Sequence, residues 1–470
     1  TETNALSGTP TLTLVAGTYT GGTLPTVTLA GSGLVYTGTF TIPAGNGTVT
    51  ASVGTVDTAG NTLAATGQTG FTIDNTAPTA ALTYALDATT FASSLSRPTK
   101  SGDTVTVKAT FTEAIALYGT PTITLTQDGD ATVPSANTAM TSTASALVWT
   151  YSYVVQASQN ATVSASVATV DTAGNTLSTT AATAFVVDNT AITLGTLTMT
   201  TTDDGASSAD GIIGSLTPAF SLATASDTAY TGSGVPTAAV ASVVLQVSSD
   251  GGTTWTDNAT FSGSGPYTVT TSPALTSGGT YSVRAIATDL AGNTATTALS
   301  TTNGRITVDT TAPTAGTLTM TTTDDGASSS DGIVGTLTPS FSLATASDTA
   351  YTGTNAPTAA IASVVIQVSS DGGTTWTTKG TSASSAAPYT ATLAGLTSGT
   401  TYSIRALVTD TAGITSTAAL STTNGRITVD TTAPTAGTLT MTSTDTGSSG
   451  SDGIINTTTP AFSLAASGTA

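Results

Sequence analysis

Residues Leu275 to Asp289 read LTSGGTYSVRAIATD. Tyr281, Val283, Ala285 and Ala287 alternate with Ser282, Arg284, Ile286 and Thr288, which makes one face of an extended segment apolar and the other mostly polar. That period of two is a strand signal. The stretch returns at Leu396 to Asp410 as LTSGTTYSIRALVTD, with Tyr402, Ile404, Ala406 and Val408 on the matching face. The copying extends well beyond the strand: Thr193 to Pro313 returns almost unchanged as Thr314 to Pro434. Trp255 recurs as Trp376, and Met199 as Met320 and Met441, each by a shift of 121 positions. A long fixed period means stacked modules, and short alternating strands broken by turn residues predict an all-β sandwich in each.

The composition agrees with strands. Charged residues make up only 7% of the chain, with 48 Gly, abundant Thr, Ser and Ala, and 38% hydrophobic residues rich in Val and Ile, enough for each module to hold its own core. Of the 27 acids only Glu2 and Glu113 are glutamate; aspartate, the short carboxylate suited to turns and oxygen-rich metal sites, supplies the rest. A net charge of −19 with eight Lys plus Arg argues against nucleic acid or an anionic membrane surface as partner. With no Cys and no His, disulfides, thiolate or imidazole metal sites and the usual catalytic triads are excluded, and the expectation is a protein that is not an enzyme. No apolar run is long enough to span a membrane, and the start at Thr1 without Met is read as that of a mature or excised piece.

The first half has the same plan in another subtype. VDTAGNT occurs at 56–62 and 170–176, and GTPTLTL at 8–14 returns as GTPTITL at 119–125. The approach LTSGGTY, with Leu275, Gly278 and Tyr281, resembles the tyrosine corner of fibronectin-III and immunoglobulin-like sandwiches and marks the sixth strand. A D-x-A-G-N loop, a closing V-D-x-T-A-P and a short linker recur through nearly the whole chain. In this the sequence resembles the bacterial Ig-like repeats of large calcium-stabilised surface adhesins. The expected modules are 1–76 (lacking its first two strands), 77–190, 191–311, 312–432, and the first strands of a further one in 433–470.

Carried onto this sequence, the resemblance implies calcium at the junctions. The candidates are Asp57 and Asn61 in the first D-x-A-G-N loop, then Asp74, Asn75, Asp171 and Asn175 between the first and second modules. Asp188, Asp289 and Asn293 follow at the next junction, and Asp203, Asp204, Asp210, Asp309 and Asp410 at the third. Asp324, Asp325, Asp331 and Asp430 repeat part of that set, and Asp445 and Asp452 would serve one further on. Sandwich topology would bring the loop carrying Asp203, Asp204 and Asp210 to the linker at Asp309, where the Asp410 loop arrives from the other side. Calcium takes roughly six to eight oxygens in irregular geometry and suits such clusters better than magnesium or zinc. The bland alternative is that Asp, Asn and Gly here only form Asx-turns. Ile414 and Ile192 break the motif, standing where the loop Asn and the linker Pro are expected.

SSDGGTTW at 248–255 and its copy at 369–376 resemble the Asp-box of sialidases; a hairpin closed by Asp and Gly, with Trp covering the core, accounts for them better than catalysis. Only Lys100, Lys108 and Lys379 exist, so a Lys–Asn crosslink is not a general staple. The expected function is a calcium-rigidified, extracellular stalk of a cell-surface adhesin, its partners being further repeats, neighbouring copies of itself, or a ligand on a host cell or other surface. The alternative is a filament or surface-layer subunit joined head to tail, the final strands of one chain completing the open first module of the next.

Overall fold

The computed structural model describes residues 5–465 except 34, 64–67, 129–136, 178–181, 204–206, 228–238, 302–303, 325–327 and 423–424. Every regular element among the described residues is a β-strand. The strand Thr280–Asp289 buries Thr280, Val283, Ala285, Ala287 and Asp289 and leaves the intervening side chains half-buried, the alternation that its sequence carries. The chain divides into two compact units. One holds residues 1–193 with 225–242 and 287–295; the other holds 194–224 with 243–286 and 296–470.

Within the first unit, residues 77–190 build two four-stranded sheets. One runs Thr138–Ala139, Leu117–Gln127, Thr162–Asp171, Ala182–Val186; the other runs Thr141–Ser142, Val148–Val154, Thr104–Thr112, Thr79–Ala85. Val105, Val107, Ala109, Phe111, Ile123, Leu125, Val163 and Val187 fill the space between them. At about 1.5–3 kcal/mol per fully buried large aliphatic or aromatic side chain, this core is the main favourable term of the module. Residues before 77 form one principal sheet with a small core of Leu14, Tyr19 and Val49, and Val15, Val35 and Leu63 stay exposed.

In the second unit, residues 312–432 pair Leu318–Met320, Ser340–Leu343 and Tyr389–Thr392 in one sheet. The facing sheet orders Ile333–Val334, Arg426–Val429, Thr400–Asp410, Ile361–Ser369 and Thr377–Thr381. Leu318, Phe341, Leu343, Ile404, Val408 and Val429 lie between them. The preceding copy repeats the plan, with Leu197, Phe220, Leu222 and Val308 fully buried. In both, the corner tyrosine is in place: Tyr281 Oη accepts the Thr276 amide and Tyr402 Oη the Thr397 amide, each at 3.1 Å. Further on, Leu439–Met441 pairs with Phe462–Leu464, and Leu439, Phe462 and Leu464 are exposed.

Candidate metal centres

The D-x-A-G-N loop folds around its aspartate. Asp171 Oδ1 accepts the amides of Ala173 at 2.8 Å and Asn175 at 2.9 Å, and Oδ2 accepts Asn175 Nδ2–H at 2.8 Å. Gly174 turns the chain at φ +91°, which a side chain would resist. Burial pushes the Asp171 carboxyl up, but the Asn175 side chain and the loop amides outweigh it and hold the group below its ordinary value. Asp289 repeats this with Gly292 and Asn293, and Asp57 with Ala59 and Asn61. Asp410 departs from the pattern. It keeps the amide of Ile414 at 2.8 Å but has no asparagine on Oδ2. Burial, with the charges of Asp309 and Asp348 adding to it, pushes Asp410 up to about 6.

Three of these loops meet two other acids each. The groups are Asp74, Glu113 and Asp171; Asp188, Asp227 and Asp289; and Asp309, Asp348 and Asp410, each offering carboxylate oxygens within 4.8 Å of one another. The first member ends one repeat; the second follows the strand Thr104–Thr112, Ala225–Ser226 or Ala346–Ser347 of the next, whose loop supplies the third. Oδ1 of Asp74, Asp188 and Asp309 accepts the amide two residues on, at 3.0, 2.9 and 2.9 Å, capping the linker. The other oxygens behave differently: Asp74 Oδ2, Glu113 Oε2, Asp188 Oδ2, Asp348 Oδ2 and Asp410 Oδ2 are buried without a hydrogen-bond partner. An Asx-turn explains the satisfied oxygens and leaves these unexplained. Two carboxylates this close repel by about 3–4 kcal/mol at an effective dielectric of about 20. All-oxygen donors at this spacing fit a hard cation with irregular coordination.

The remaining candidates lie elsewhere. Asp203 and Asp324 accept the amides of Gly211 and Gly332 at 2.9 Å, and Asp210 and Asp331 those of Ile212 and Ile333 at 3.0 Å. Asp445 and Asp452 do the same for Gly453 and Ile454. These loop acids therefore close their own turns, beside short strands such as Ile212–Ile213, which pairs in parallel with Arg305–Val308. The expected convergence at the third junction is met by Asp309 and Asp410, with Asp348 in the place assigned to the Asp203 loop. Asp204 and Asp325 lie outside the described residues. Asn75 bonds Gly45 and Asn46 of its own module, and Asp430 caps Thr432. Glu113, Asp227 and Asp348 are absent from the sequence-derived set, although Asp227 and Asp348 recur at the 121-residue shift within ATASDTAY.

The asparagines also bridge modules. Asn175 Nδ2 donates to the Asp74 carbonyl at 3.0 Å and Asn293 Nδ2 to the Asp188 carbonyl at 2.9 Å, and Arg97 Nη1 donates to the Ala291 carbonyl at 2.9 Å. At the third junction Ile414 instead joins Ile212, Tyr351 and Ala412 in an apolar cluster, and Tyr351 Oη donates to Asp309 Oδ2 at 3.0 Å.

In the SSDGGTTW hairpin, Asp250 accepts the Ser248 hydroxyl, the Thr253 amide, and both the amide and hydroxyl of Thr254. These bonds, the Thr254 side chain first, hold Asp250 well below the ordinary carboxylate range. Trp255 does not cover the core. Its Nε1 donates to Gly252, and the Arg284 guanidinium stacks 4.1 Å over its ring on the outer face of the sheet, held by Gln246; Trp376 and Arg405 repeat the arrangement. A ring covered by an internal arginine is a structural element, consistent with the hairpin reading.

Residues 191–310 match the family described as bacterial Ig-like domain. No curated protein matches the chain. Among solved structures it is similar to three N-terminal domains of the Highly Immunogenic Outer Capsid protein of bacteriophage RB49, at 13% identity and a TM-score of 0.31, over 72% of this chain and 97% of that one. The fibronectin(III)-like modules of Clostridium thermocellum CbhA align at 17% identity and a TM-score of 0.27, over 50% of this chain and 94% of theirs. Salmonella alpha-2-macroglobulin reacted with methylamine aligns at 11% identity and a TM-score of 0.18, over 84% of this chain and 29% of its own. The third repeat, residues 191–310, is a bacterial Ig-like domain.

Proposed function

We propose that this chain is a stalk segment of a secreted bacterial surface adhesin, in which calcium bound at the junctions stiffens the array of successive sandwiches. The observation that carries this reading is the recurrence, at three junctions, of three acids drawn from both adjoining repeats, with buried carboxylate oxygens that no donor satisfies. A divalent cation there removes the mutual repulsion and joins the closing aspartate of one module to two acids of the next. The work is mechanical: the repeats project or link, with further repeats or neighbouring copies as their partners, and a ligand on another surface is met elsewhere in the array. Calcium calorimetry on the whole chain, with small-angle scattering in calcium and in chelator, tests this. Saturable binding and a longer, narrower particle in calcium are expected. Absence of binding overturns the reading.

A further inference from the structure

We infer that the junction between the third and fourth sandwiches is a preformed lock that holds its angle without a cation, and that the segment 351–354 is its bolt. The acidic group there, Asp309, Asp348 and Asp410, does not stand alone. Thr352, directly after Tyr351, forms a parallel bridge with Gly279. Its amide donates to the Gly278 carbonyl at 2.6 Å, its hydroxyl to the same carbonyl at 3.0 Å, and its own carbonyl accepts the Thr280 amide at 2.9 Å. A residue of the fourth repeat is thus added by its main chain to the strand Thr280–Asp289 of the third.

The close approach is built into the sequence. Gly353 has φ +109°, and a Cβ there would lie 2.9 Å from the Thr280 carbonyl oxygen. Beside the bridge, Tyr351 and Ala412 of the fourth repeat and Ile212 of the third are buried together, with Ile414 packed on them. Tyr351 Oη reaches back across the junction to Asp309, and shares a second contact of 3.0 Å with Thr411. Main-chain pairing and an apolar plug act together with a phenolic hydrogen bond to Asp309, and the first two use no carboxylate of the acidic group.

The first junction is built otherwise. Among the described residues, Asn175 Nδ2 donates across it to the Asp74 carbonyl, and Asp74, Glu113 and Asp171 converge beside that bond. An array of this kind bends at the first junction when the cation is withdrawn and stays fixed at the third.

The chain has no cysteine, so spin labels can be placed at will on the full chain. Thr256→Cys with Thr377→Cys spans the third junction, and Thr50→Cys with Thr141→Cys the first; all four positions are exposed. In chelator, electron–electron distance measurements should give a narrow distribution for 256–377, unchanged from calcium, and a broadened one for 50–141. Equal broadening of both pairs, or of neither, overturns the inference. Tyr351→Ala combined with Ile414→Ala should broaden the 256–377 distribution in chelator by removing the plug, and a distribution that stays narrow would equally overturn it. Calorimetry on the same samples keeps the two readings apart: no heat of calcium binding removes the stalk's calcium, and the lock is then decided by the 256–377 pair alone, which must be narrow in the parent chain and broadened in the double variant.

Discussion

Asn175 donates through Nδ2 both to Asp171 Oδ2, at 2.8 Å, and to the main-chain carbonyl of Asp74, 101 positions earlier, at 3.0 Å. One amide therefore shapes its own loop and holds the preceding repeat. Asn175→Ala leaves a carboxylate oxygen and a linker carbonyl short of a donor, at a cost of about 1–3 kcal/mol. The denaturation midpoint of the first compact unit should fall accordingly. An unchanged midpoint would mean that the loop's own amides suffice.

Asp188→Asn should have opposite effects in two buffers. Asp188 is fully buried and its Oδ2 has no donor, so in chelator the substitution relieves repulsion from Asp289 and the midpoint should rise. With calcium at a hundredfold its dissociation constant, an intact site contributes about 2.7 kcal/mol that the variant loses. Thermal melts in both buffers read the crossing directly, and parallel curves would remove the cation from this junction.

Glu113→Gln tests the acid that sequence reasoning passed over. Its Oε2 is buried and unpartnered beside Asp74 and Asp171. Neutralising it should weaken calcium binding at the first junction about tenfold or more, equivalent to about 1.4 kcal/mol, leaving the other two junctions unchanged. Calorimetry with the wild type alongside would show one class of sites shifted.

Acid should destabilise the two long repeats through their hairpins. Asp250 and Asp371 are held below the ordinary aspartate value by hydroxyl and amide donors, so the native state binds fewer protons than the unfolded one. Their contribution is complete above that value and is lost as pH falls below it toward the native value. Asp250→Asn with Asp371→Asn should flatten the acid limb of a stability–pH curve; an unaltered limb would assign acid sensitivity to other carboxylates.

Much of the fold was legible because alternation has a single physical meaning: Val283, Ala285 and Ala287 are apolar at a period of two, and all three are buried. The D-x-A-G-N loop was equally plain, since its Asp, Gly and Asn each serve the local turn. The third acid of each group was not. Glu113, Asp227 and Asp348 each follow a strand with no turn motif to mark them, and only the packing of one repeat on the next brings them to the linker. Asp203 and Asp210 accept amides of their own loop, an arrangement the sequence does not distinguish from one facing a neighbour. Trp255, expected to cover the core, instead stacks under Arg284, which stands on the polar side of the alternation.

Each junction takes one aspartate from the end of a repeat and two acids from the beginning and end of the next, so the chemistry belongs to the seam. A duplication or deletion of one whole 121-residue period, through misaligned recombination between near-identical copies, regenerates every seam intact. A change of any other length strands carboxylates without their complement. The reach of such a chain can therefore be lengthened or shortened in fixed steps over generations, with no joint needing to be reinvented.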